Sequence, residues 1–181
     1  MSFQQYDHII IAGFPGIGKS HVFRNSQNHY FTYYDSDSSN FSWLDREKGI
    51  RNPEFPKNYI KHIDMLTNMA QNNIIMVSTH ADVLNALATE FDTRFMLVHP
   101  EYSLKDEYLD RYRARGSSRE FIKTLDENWD NWISDLYRFT PGLRYVLGSG
   151  ESLADVLLKN DAHWIQEIQG YVSIKSYASL F

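Results

Sequence analysis

Gly13-Phe14-Pro15-Gly16-Ile17-Gly18-Lys19-Ser20 carries the spacing G-x-x-x-x-G-K-S, and those residue types in that order can hold a polyphosphate. Glycines at both ends let the backbone curl tightly, so that its N–H groups turn inward toward α- and β-phosphate oxygens. A lysine directly after the last glycine reaches the β- and γ-phosphates, and the hydroxyl that follows can ligate Mg²⁺. A helix opening here adds the positive end of its dipole to the same spot. On this reading Gly13, Pro15, Gly16, Ile17, Gly18, Lys19, Ser20 and His21 line a nucleoside triphosphate, with Lys19 catalytic and Ser20 on the metal. The competing reading is a glycine-rich turn that binds nothing.

A second group follows at Asp35-Ser36-Asp37-Ser38-Ser39-Asn40. Mg²⁺ prefers oxygen ligands and keeps several waters, so a single nearby carboxylate serves it. Later strand candidates end in Ser78, His99 and Leu147 rather than in an acid, which leaves the acids after the second strand, Asp35 or Asp37, to hold a metal-bound water. Asp35 or Asp37 can equally accept a proton from an acceptor hydroxyl. An Asp/Ser turn that satisfies its own backbone is the alternative. The third group is Arg111, Arg113, Arg115 and Arg119 around Gly116. In a helix Arg111 and Arg115 share a face. Forked guanidinium donors beside a glycine hinge suit a lid, about residues 110–120, that closes on a transferring phosphoryl group and excludes water. A solvated face paired with Asp106, Glu107 and Asp110 is the bland counterpart. His80 can orient an acceptor, Phe41 and Trp43 can stack on a planar one, and Arg46, Lys48, Arg51 and Lys57 can bind an anionic one. Core packing or plain exposure competes for each.

These residues need elements to position them. His8–Ala12, Tyr30–Tyr34, Ile74–Ser78, Phe95–His99 and Arg144–Leu147 are short apolar runs separated by helical patterns, which indicates a parallel sheet with helices on both faces. Ligands bind at the carboxyl ends of such strands. The first helix should run from the glycine loop to about Phe23 or Arg24. Tyr59, Ile60, Ile63, Leu66, Met69 and Ala70 recur at helical spacing behind Pro56 and read as a core stripe. Ser103 with Asp106, and Ser117 with Glu120, form capping-box patterns. The second opens a long helix bearing Phe121, Ile122, Leu125, Trp129, Trp132, Ile133 and Leu136, whose tryptophans read as core. A last helix is expected from about Leu153 to Ile168, and the tail Gly170–Phe181 carries no assignment.

Composition narrows the classes. With 181 residues, of which 43% are apolar, one domain spanning 1–181 can bury an adequate core. The absence of cysteine excludes disulfides, thiolate metal sites and a cysteine nucleophile. A net charge of −5 argues against a general nucleic-acid binder. No apolar stretch is long enough for a membrane span and no signal segment is recognisable, so the expectation is a cytoplasmic protein without a membrane partner.

Gly13–Ser20, Asp35/Asp37 and the Arg111–Arg119 segment together resemble a small P-loop kinase of the adenylate-kinase-like group, and Asp35-Ser36-Asp37 is similar to the D-x-D of shikimate and gluconate kinases. The D-S-D-S-S-x-F-S-W stretch also resembles nucleotide-kinase-like proteins of bacteria and their phages, a likeness from which no function follows. The resemblance implies an α/β, three-layer α/β/α P-loop fold with a five-stranded parallel sheet in the order 2-3-1-4-5. It further implies a helical acceptor-binding insert, about residues 36–72, and a short lid. One departure matters: where nucleoside monophosphate kinases place Asp-Gly-Phe-Pro-Arg, this chain has Ser78-Thr79-His80-Ala81. The leading expectation is ATP- and Mg²⁺-dependent phosphoryl transfer to a small acceptor, a nucleoside or nucleoside monophosphate. Lys19, Asp35, Arg111 and Arg115 would be catalytic, Asp35, Asp37, Phe41, Trp43, Arg51 and His80 at the acceptor, and Ser20 and Asp35 on the metal. A kinase of a hydroxyl-bearing metabolite and a nucleotide-binding regulatory ATPase are the alternatives. A guanine-binding N-K-x-D signature is absent.

Overall fold

A computed structural model of the chain describes residues 8–26, 31–69, 72–91 and 95–159. The apolar run His8–Gly13 forms β1, the middle strand of a five-stranded parallel sheet. It pairs on one side with β5 (Asn73–Val77) and on the other with β6 (Phe95–Pro100), with Ile10 opposite both Ile75 and Phe95. β2 (Thr32–Asp35) joins the outer edge of β5, and β7 (Leu143–Leu147) joins β6. Strands flanked on both sides in a parallel sheet lose contact with water on both faces, which is why β1, β5 and β6 are nearly unbroken apolar runs. Ile10, Ile11, Ala12 and Ile74–Val77 are wholly buried.

The strand order in chain labels is β2-β5-β1-β6-β7. The labels skip because β3 (Trp43–Asp45) and β4 (Ile50–Arg51) form a separate two-stranded antiparallel hairpin inside the segment expected to be a helical insert. The five strands of the main sheet, counted along the chain, run 2-3-1-4-5. All five are parallel, so Gly13, Asp35, Val77, Pro100 and Leu147 end on one edge.

Helices between these strands bury one stripe each. α1 is Lys19–Asn25, α2 Ser39–Ser42, α3 Lys57–Thr67 and α4 Ala81–Glu90. α3 turns Tyr59, Ile60, Ile63 and Leu66 inward, whereas Met69 lies beyond its end and is exposed, and Ala70 falls outside the described residues. A 3₁₀ turn, Tyr102–Leu104, leads into α5 (Lys105–Ala114), and Gly116 separates it from α6 (Arg119–Leu136). Trp129 of α6 is fully buried, its ring 5.4 Å from Phe14 and 5.3 Å from Tyr108, and its indole N–H donates to the Tyr102 carbonyl. α7 begins at Leu153 and is described to Lys159; the rest of the expected last helix and the tail lie outside the described residues.

Two capping expectations require correction. Ser118, not Ser117, caps α6: its hydroxyl accepts the Phe121 N–H at 3.2 Å. Ser103 caps nothing at α5; the 3₁₀ turn satisfies that end through backbone bonds, and its hydroxyl reaches toward Glu101 instead. Among the described residues no helix is long and apolar enough to cross a membrane.

Candidate functional site

The bend between β1 and α1 is pinned from within. Phe14 donates its N–H to the Val98 carbonyl at 2.9 Å and packs its ring edge-on to Tyr108 and Trp129. Ile17 is wholly buried, and its carbonyl accepts the Leu153 N–H at 2.7 Å. With those two side chains anchored inward, the backbone beside Ile17 turns through left-handed conformations on either side of it. Gly16 and Gly18 adopt φ of 86° and 100° there, a region that side chains rarely enter. At Gly16 a Cβ would also sit 3.0 Å from the Tyr112 hydroxyl, so α5 packs directly over the bend. Pro15 is half-buried on this loop, and Ser20 and His21 are exposed on the first turn of α1. His21 engages Asn25 through its ring Nδ1 and its carbonyl, within its own helix.

Lys19 folds back into this bend. Its ammonium donates to the Gly13 carbonyl and, at 3.3 Å, to the Phe14 carbonyl. The side chain is half-buried, with its ammonium among the loop carbonyls. Desolvation lowers its pKa from 10.5 to about 8, against the opposing pull of Asp35 and Asp37 and with a smaller push from Arg115. Among the described residues no carboxylate lies within ion-pair distance of it. A buried cation surrounded by carbonyls and distant acids is poorly compensated, a condition that an incoming anion relieves.

Asp35 closes β2, half-buried, and its carboxylate has no hydrogen-bond or ion-pair partner among the described residues. Asp37 is exposed and accepts the Ser39 N–H at 2.9 Å, the turn that starts α2. Both acids nonetheless act on Lys19 through space. The ends of β2 and β5 are tied by a residue that periodicity alone marked only as core. The buried Tyr59 hydroxyl of α3 donates to the Ser36 carbonyl at 2.7 Å and accepts from the Ser78 N–H at 3.4 Å. A tyrosine inside an apolar stripe was the available signal, because a buried phenol must find partners. Ser20 and Asp35 offer two oxygen donors, which suits Mg²⁺, an ion that takes few protein ligands beside water and phosphate. Among the described residues no group of three or more His, Asp or Glu gathers into a metal cage.

Around the acceptor side the picture divides. His80 precedes α4, its ring edge-on to Phe55 at 6.2 Å. Burial lowers its pKa first, followed by the positive charge of Arg51; Lys19 acts in the same sense, while Asp82 and Asp37 oppose. The neutral imidazole is therefore favoured. Arg51 lays its guanidinium 3.8 Å over the Trp43 ring, across the β3–β4 pair, and has no carboxylate partner among the described residues. Phe41 is a packing anchor instead: its ring lies 5.2 Å from Tyr59 and 4.7 Å from His62, and its carbonyl collects the Asn52 and Asn58 amides. Those contacts give the half-buried ring a packing role.

The two favoured arginines have different surroundings. Arg115, at the end of α5, rests 3.9 Å over the Tyr112 ring, hydrogen-bonds the Ser117 hydroxyl, and is the arginine whose charge reaches Lys19. Arg111 is paired with Glu107 one turn back and donates to the Glu151 carbonyl at 3.0 Å. Arg113 pairs with Asp110 at the surface.

No protein-family model matches this sequence, and no curated protein matches it either. Among solved structures, the chain is similar to the tunicamycin resistance protein of Deinococcus radiodurans, at 13% identity and a TM-score of 0.57, covering 88% of this chain and 95% of that one. At that identity the likeness concerns the fold alone, a mixed α/β arrangement around a five-stranded parallel sheet.

Proposed function

We propose that the β1–α1 bend is the phosphate loop of a three-layer P-loop kinase domain spanning 1–181, which moves the γ-phosphoryl group of ATP to a small acceptor, a nucleoside or nucleoside monophosphate. The observation that carries this reading is Lys19: an ammonium held on two loop carbonyls, with Asp35, Asp37 and Arg115 as the charges it feels. Such a cation has little reason to be buried unless an anion displaces those carbonyls. Loop amides and Lys19 would hold the β- and γ-phosphates, and Ser20 with Asp35 would hold Mg²⁺, which when bound neutralises phosphate oxygens. An acceptor oxygen would attack the γ-phosphorus as its bond to the ADP oxygen breaks. Asp35 or Asp37 would take the acceptor's proton where it is a hydroxyl. Arg115 would face the charge that develops on the transferring group.

Arg51, exposed and without a carboxylate partner among the described residues, acts on His80 through its charge; it supports an acceptor that brings its own negative charge and would stand in for the missing Asp-Gly-Phe-Pro-Arg arginine. Calorimetry with Mg·ATP tests the reading, followed by a screen of mononucleotides and hydroxyl-bearing metabolites for phosphoryl transfer. Lys19→Ala should lose ATP affinity by roughly tenfold or more, the scale of one charge-assisted contact, and lose turnover altogether while keeping the native circular dichroism. Absence of ATP uptake by the wild type, or unchanged turnover in the variant, overturns the assignment.

A further inference from the structure

The segment after β7, Gly148-Ser149-Gly150-Glu151-Ser152, lies against the β1–α1 bend from the side opposite Asp35. Leu153 N–H bonds the Ile17 carbonyl at 2.7 Å, and a Cβ on Gly18 would stand 3.8 Å from Ser152. In the sheet order, β2 with Asp35 is at one edge and β7 at the other, with the bend over the middle strand. A triphosphate lying along the bend with its outermost group toward Asp35 therefore directs its nucleoside toward residues 148–152.

A stretch with two glycines in three residues would sample many conformations by itself. Here one side chain from another element holds it. Glu107 of α5 accepts the Ser149 hydroxyl at 2.8 Å on one carboxylate oxygen and the Gly150 N–H at 3.0 Å on the other. The second oxygen also takes Arg111, whose guanidinium reaches on to the Glu151 carbonyl. Glu151 completes the turn by accepting the Gly148 N–H at 2.8 Å. Burial alone would raise the Glu107 pKa, but the bonds from Ser149, Gly150 and Arg111 together bring it below its ordinary value. The carboxylate is thus the form the latch uses.

We infer that Glu107, with Arg111 as its counter-ion, is a positioning residue for the nucleoside: it preshapes the 148–151 loop and keeps Arg111 occupied there rather than on the phosphates. This rests on the phosphate-loop reading above. It separates the two arginines by task, leaving Arg115, which has no carboxylate partner among the described residues, to meet the transferring group.

Calorimetry on the full chain, with Mg·ADP and with inorganic tripolyphosphate as probes, tests it. Tripolyphosphate has no nucleoside and reports the bend alone. Glu107→Gln should weaken ADP roughly tenfold and Ser149→Ala roughly threefold, the scale of losing one or two hydrogen bonds, while tripolyphosphate changes less than about twofold. Equal weakening of both probes would mean the latch only supports the fold, and unchanged ADP affinity would mean it does not shape the nucleoside side; either overturns the inference. Ser149 is exposed, so its variant carries the test if Glu107→Gln fails to fold. Lys19→Ala separates the two readings. If it leaves tripolyphosphate binding intact, the phosphate loop is wrong and the latch falls with it. If it abolishes that binding while the Glu107 and Ser149 variants bind ADP normally, only the latch is wrong.

Discussion

On the phosphate-loop proposal, Lys19 sets a stability against a function at a single side chain. Its pKa falls from 10.5 to about 8, so at neutral pH the native state holds a charge in a place that disfavours it. Each pKa unit corresponds to about 1.4 kcal/mol, which caps the penalty at roughly 3 kcal/mol. Losing the hydrogen bonds to the Gly13 and Phe14 carbonyls takes back part of that. Lys19→Met should therefore stabilise the ligand-free protein at pH 7 by about 1–2 kcal/mol while removing its affinity for polyphosphate. The pH dependence gives an independent check. Between the folded pKa near 8 and the ordinary 10.5 the unfolded chain binds more protons, so wild-type stability must rise across that window. Urea titrations at pH 7 and pH 10 should show that rise in the wild type and a flatter response in the variant. A variant that is less stable at pH 7 with the same slope would mean the ammonium is well compensated in the fold.

At the scale of elements, α3 does more than cover the sheet. The Tyr59 hydroxyl joins the ends of β2 and β5 just past their last paired residues, Asp35 and Met76. Tyr59→Phe keeps the ring and strands the buried Ser36 carbonyl, at a cost of about 1–2 kcal/mol in chemical denaturation. On the proposed kinase reading, the same bonds hold together the strand ends next to Asp35 and His80, so the variant should also lower kcat more than it raises the KM for ATP; an unchanged kcat would limit Tyr59 to stability. The apolar runs made the strands legible to within one or two residues, since burial on both faces leaves little choice of residue. The hairpin was not legible. Trp43-Leu44-Asp45 and Ile50-Arg51 are too short and too exposed to show a period, and their pairing, with Trp43 opposite Arg51, appears only in the fold. Adjacent serines made the α6 cap ambiguous by one position, because the choice depends on which hydroxyl faces the Phe121 N–H. Within the candidate site, the glycine spacing of G-x-x-x-x-G-K-S predicted the tight bend that Gly16 and Gly18 form between β1 and α1. The Glu107–Arg111 pair was visible as an i,i+4 match, but its partners at Ser149 and Gly150 lie some forty residues on and leave no local trace.

Across the whole molecule, one buried polar group ties the last two strands of the sheet to the end of α6. His99 of β6 is completely buried. Its Nδ1–H donates to the Pro100 carbonyl at 2.9 Å, which leaves Nε2 to accept from Arg144 of β7 at 3.0 Å. Arg144 also donates to the Leu136 and Phe139 carbonyls where α6 ends, and the Tyr137 ring packs against both residues. The neutral imidazole is the form that this joint accepts, since imidazolium would offer a proton to a guanidinium. Burial first, and then Arg144, hold its pKa below the ordinary value, while the Pro100 carbonyl works the other way. The stability this contributes is fully present above about pH 6.5, the ordinary histidine value, and is lost as pH falls below it, because the unfolded chain protonates first. Losing one hydrogen bond to a charged group sets the scale at about 1.5–3 kcal/mol. Urea unfolding should therefore weaken between pH 7.5 and pH 5.5 in the wild type. It should weaken less in His99→Gln, whose amide can accept from Arg144 and donate to Pro100 without titrating. Parallel losses in the two proteins would place the acid sensitivity elsewhere and leave His99 as an inert core residue.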